Sequence, residues 1–92
     1  MREVLEMSKH QADSGETDNF IHKSIGENIR SIRKGLIMTQ DELASKVGLS
    51  RFSIVLIESG KQKIPLWRVY QFATKLNTTI MEILPTNTGD KK

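Results

Sequence analysis

The sequence contains no cysteine, so it can build neither a disulfide framework nor a thiolate metal site. Aromatic residues make up only 5% of it, with one tryptophan, Trp67, and one tyrosine, Tyr70. Apolar runs fall far short of the ~18–20 residues that a membrane span needs. The N-terminus lacks the apolar block of a signal peptide. A cytoplasmic protein is the plain expectation. Catalysis finds little support either. The two histidines, His10 and His22, lie near the N-terminus. With Asp13, Glu16 and Asp18 between them they match no metal-ligand spacing. No glycine-rich phosphate loop follows a strand, and the Asp41–Glu42 pair belongs to a capping turn. No enzyme activity, cofactor or metal is expected.

What is present is divided by charge. Residues 1–22 hold two basic and five acidic side chains, a net of −3, and residues 23–92 hold twelve and six, a net of +6. A basic body after an acidic leader fits an anionic partner, nucleic acid being the commonest. It fits equally the ordinary need of a small domain to stay soluble. The leader is polar and without sustained period, so residues 1–22 read as disordered apart from a short turn near Val4–Met7. The tail 86–92 reads the same way. Residues 23–85 form the one domain that this length allows.

From Ser24 the pattern becomes helical. Ser24–Glu27, Thr39–Glu42 and Thr79–Glu82 each read S/T-x-x-E, the capping box. Pro65 marks another start. Gly35, Gly48, Gly60 and Asn77 can each take the left-handed conformation that ends a helix, and Pro85 closes the last. Five short helices result, near 24–34, 39–47, 50–59, 65–76 and 80–84. No segment alternates as a strand would, so the fold class is all-α. Spacing assigns inward faces to Ile25, Ile29 and Ile32; to Leu43, Ala44 and Val47; to Leu66, Val69, Phe72, Ala73 and Leu76; and to Ile80, Ile83 and Leu84.

The third helix, "RFSIVLIES", carries more apolar surface than one stripe requires. At ~100° per residue, Ile54 and Ile57 share one face, and Phe52, Val55 and Leu56 share another. Glu58 falls close to the Ile54 direction, so the inward face includes a charge. Arg33, on the inner edge of the first helix, is its expected partner. Such a pair would fix orientation more than it adds net stability. Leu49 plugs the turn and Ser50 caps the following helix. Residues 39–59 are therefore laid out as helix, short turn, helix.

With "IR..R", "TQDELASKVGLS", "I..IESGK" and "A.KLNTTI.EIL", the stretch from about Ile25 to Leu84 resembles the phage-repressor helix-turn-helix family, of the Cro/CI or XRE type. The resemblance implies a five-helix, lambda-repressor-like domain. It implies a sequence-specific transcriptional regulator, a repressor above all, that binds double-stranded DNA as a homodimer on a near-palindromic operator. The third helix would enter the major groove and present Arg51, Phe52, Val55 and Leu56 to the bases. Gln40, Ser50, Ser59, Lys61, Gln62 and Lys63 would serve the phosphates. Arginine can reach guanine O6 and N7 with two hydrogen bonds, and phenylalanine can pack on thymine methyls. Arg51 could instead meet phosphate alone, and Phe52 could simply cover the turn.

The sequence departs from the family where polar residues usually read bases. Phe52, Val55 and Leu56 rule out amide readout of adenine from those positions. Thymine-rich contacts, readout of DNA shape or a protein partner remain open, since exposed apolar patches mark partners. Some relatives act as antitoxins. An antitoxin or interaction module using the same face is therefore the alternative function. Trp67 stands at a position that is usually polar. It either anchors a dimer or lies partly buried against Ile64, and Tyr70 reads as edge packing.

Overall fold

The computed structural model describes the backbone of residues 2–85 and the side chains of residues 16–85. Five helices follow one another: α1 (Arg2–Gly35), α2 (Gln40–Val47), α3 (Arg51–Glu58), α4 (Leu66–Lys75) and α5 (Ile80–Ile83). No strand occurs among the described residues. Helix α1 packs on α3 and α5, α2 on α3 and α4, and α4 on α5. They enclose one core built on Ile29, Leu43, Ile54, Ile57, Phe72 and Ile83, each at most 1% exposed.

One expected boundary changes. Residues 1–22 were expected to be a disordered leader, with the first helix starting at Ser24. Instead α1 runs unbroken from Arg2, so Ser24 lies in mid-helix and the Ser24–Glu27 box does not form. Polar composition cannot separate a solvated helix from a coil, and no proline breaks this stretch. Specific ties also hold its later part. Ile21 packs against the core, and Asp18 bonds to both His22 and Lys63. The expected tail, 86–92, lies outside the described residues. The other boxes divide: Thr39–Glu42 is reciprocal, whereas Thr79 caps α5 without a side-chain bond.

Four helices end in one way. The residue after the last turn takes positive φ, and the next amide reaches back five residues. Met38 donates to Arg33 O, Leu49 to Ala44 O, Lys61 to Leu56 O and Thr78 to Ala73 O. This is the Schellman motif. Gly48, Gly60 and Asn77 hold the left-handed position, with φ of 73°, 79° and 55°. At the end of α1 that position belongs to Ile37, with φ 57°, and not to Gly35.

The inward faces follow the spacing except at Leu66, which is 61% exposed. It sits ~70° from the mean direction of Val69, Phe72, Ala73 and Leu76 on the helical wheel, in the first turn of α4. Gly26 sets the α1–α3 crossing. A Cβ there would run into the carbonyl oxygens of Ile57 and Glu58, so only glycine lets the backbones approach this closely. Asn28 Nδ2 donates to Ile83 O at 2.7 Å and ties α5 to the same helix.

Candidate nucleic-acid interface

The Arg33–Glu58 pair is the polar centre of the domain, with both residues buried, at 7% and 5% exposed. Arg33 Nε donates to Glu58 Oε2 at 2.6 Å and Nη2 to Oε1 at 3.0 Å. Arg33 Nη1 donates to Met38 O at 2.7 Å. The planar guanidinium matches the carboxylate with two parallel bonds and keeps a third for the α1–α2 turn. One fork thus holds α1, that turn and the C-terminal end of α3.

The network continues toward solvent. Gln40 Nε2 donates to Glu58 Oε1 at 3.1 Å, and its Oε1 accepts from Arg51 Nε at 3.4 Å. Gln40, the first residue of α2, therefore links the buried end of α3 with its exposed first turn. Ser50 caps α3: its Oγ accepts from the Ser53 amide at 3.1 Å. Ser59 Oγ donates to Leu56 O at 3.1 Å. Both hydroxyls are occupied by helix ends.

The outer face of α3 matches the expected division. Ile54 and Ile57 are buried, while Phe52 is 70% and Val55 38% exposed. Leu56 is half-buried and Arg51 exposed. After α3, Lys61 and Lys63 are exposed and Gln62 is half-buried. Lys63 is engaged within the chain by Asp18 of α1. That contact holds the Asp18 carboxyl below its ordinary value, mainly through the hydrogen bond from Lys63 and less through His22. Trp67 is 60% exposed, with the Arg68 guanidinium 4.5 Å from its ring centroid. Tyr70 is 55% exposed.

Beside this face lies an open cleft between Arg30 and Arg33 of α1, the N-cap Thr39 and Gln40 of α2, and Val55 and Glu58 of α3. Arg30, the first arginine of "IR..R", is not among the expected site residues, although its place three residues before Arg33 puts it on a neighbouring part of the same helix face.

The arrangement has known relatives. The family described as "Helix-turn-helix domain" matches residues 26–86. An uncharacterized HTH-type transcriptional regulator of Archaeoglobus fulgidus is 42% identical over 55 residues, which are 60% of this chain and 79% of that protein. Among solved structures, the restriction-modification controller protein C.AhdI from Aeromonas hydrophila superposes with a TM-score of 0.63 at 26% identity, over 66% of this chain and 92% of that one. Hydroxypropylphosphonic acid epoxidase from S. wedmorenis superposes with a TM-score of 0.67 at 23% identity. It is matched over 71% of this chain but only 35% of the epoxidase, so the likeness is one of fold alone. Helix order, the α2–α3 unit and these matches agree: the chain belongs to the XRE-type helix-turn-helix family of DNA-binding transcriptional regulators.

Proposed function

We propose that the protein is a sequence-specific repressor without catalytic activity. It binds a near-palindromic operator as a homodimer, with α3 of each copy in the major groove. The carrying observation is the outer face of α3, where Arg51, Phe52 and Val55 stand exposed on a helix whose other face is locked by the Arg33–Glu58 fork. A helix fixed in this way presents its side chains without further backbone ordering.

Arg51, steadied by Gln40, reads guanine; Phe52, Val55 and Leu56 form an apolar surface for thymine methyls. Gln40, Lys61, Gln62 and Lys63 hold backbone phosphates, and Ser50 and Ser59 join them by turning their O–H groups from the ends of α3 to phosphate oxygen. Exposed Trp67 is assigned to the dimer interface, where tryptophan is enriched. The protein acts in the cytoplasm and sits on the nucleoid when bound to DNA.

The roles separate by mutation. Arg51→Ala relaxes choice at one base pair, with a loss of about 1–3 kcal/mol against its preferred site. Lys61→Ala weakens binding to all duplexes alike and lowers the salt slope by about 0.9. Binding isotherms on matched and mismatched duplexes across a salt series check both. Identical behaviour of the two variants would contradict the assignment.

One observation favours a second reading. Phe52 at 70% exposed is a large apolar side chain open to solvent. In that reading the same face docks a protein, and the chain is an antitoxin or interaction module.

A further inference from the structure

The cleft between α1, α2 and α3 holds a cation that the Arg33–Glu58 network does not use. Arg33 spends its guanidinium on Glu58 and Met38. Arg30, one turn earlier, lines the same cleft and is exposed. Among the described residues its guanidinium makes no side-chain hydrogen bond and no ion pair. Glu58 cancels only one of the two arginine charges, so the cleft is left positive.

Its position gives that charge a use. Val55, on the exposed face of α3, forms part of the cleft wall, and so does Gln40. A duplex whose major groove admits α3 carries its phosphates along the groove rim. The cleft opens beside the helix, where such a rim would pass.

We infer that Arg30 is a further DNA-backbone contact, seating one phosphate in this cleft beside Gln40. The inference rests on the proposed placement of α3 and adds α1 to the docking surface. Arginine suits the role because its planar fork can give two hydrogen bonds to one phosphate. The contact carries no base information.

The test uses the full chain, a labelled duplex of fixed sequence and a labelled random-sequence duplex, each titrated over a sodium chloride series. Arg30→Ala weakens both duplexes by the same factor. The slope of log K against log salt becomes shallower by about 0.9, as expected for one lost phosphate contact. Arg30→Gln does the same, and Arg30→Lys recovers part of the loss. Lys34→Ala removes an equal charge from α1 outside the cleft and leaves the slope near that of the unsubstituted chain. The thermal midpoints of all four stay together, because both side chains are exposed. Equal effects of Arg30→Ala and Lys34→Ala would reduce Arg30 to net charge and overturn the inference. So would full-strength binding by Arg30→Ala while Lys61→Ala weakens. An unsubstituted chain that binds neither duplex would overturn the DNA-binding reading as well.

Discussion

Ile37 stands in left-handed backbone at φ 57° and is 88% exposed. A β-branched residue there costs roughly 1–2 kcal/mol, and almost none of its surface is repaid by burial. Glycine at 37 would relieve that cost while losing ~0.5–1 kcal/mol to its freer unfolded chain. Ile37→Gly is therefore expected to stabilise the fold by about 0.5–1 kcal/mol, read from urea unfolding; a loss of stability would show that Ile37 makes contacts that matter. The same residue shows what sequence could not give. Gly35 looked like the helix stop because glycine is the usual left-handed residue, yet the Arg33–Met38 bonds set the turn two positions later. By contrast, the partnership of Arg33 and Glu58 was legible, since a carboxylate placed on an inward face calls for a cation opposite.

At the scale of elements, α2 to α5 were legible because each carries a start or stop signal within a residue or two of its observed end. The first half of α1 was not. Its ties depend on Lys63, which lies 45 residues from Asp18 in sequence and is brought close only by the turn after α3. That turn fits because Gly60, at φ 79°, lies against the backbone of Lys23, where a Cβ would come within 2.7 Å of the Lys23 Cα. The Asp18–Lys63 contact has a pH signature. With the folded carboxyl below its ordinary 3.8, its stabilising contribution is complete above the unfolded value. It is lost as pH falls through the folded one. Carboxyl NMR titration should give Asp18 a midpoint below 3.8 that rises in Lys63→Ala. A midpoint unmoved by Lys63→Ala would contradict the contact. At neutral pH the ionised Asp18 also competes with any phosphate for Lys63.

Across the whole molecule, the all-α architecture and the core were readable from periodicity, with Leu66 the exception at the edge of its helix. The candidate interface was half readable. The two stripes of α3 followed from spacing, but Arg30 did not, because its value comes from a cleft that three helices make together. Residues 23–92 carry a net charge of +6, which favours an anionic duplex as partner. The outer face of α3, with Phe52 and Val55 exposed, is the surface proposed to read DNA sequence. The first experiment is selection of binding sites from a random duplex library at near-physiological salt. The expected result is enrichment of an inverted repeat with half-site centres about one helical turn, ~34–36 Å, apart, and with thymines opposite Phe52, Val55 and Leu56. Folded protein that enriches no sequence would contradict it and leave a protein partner on that face as the better account.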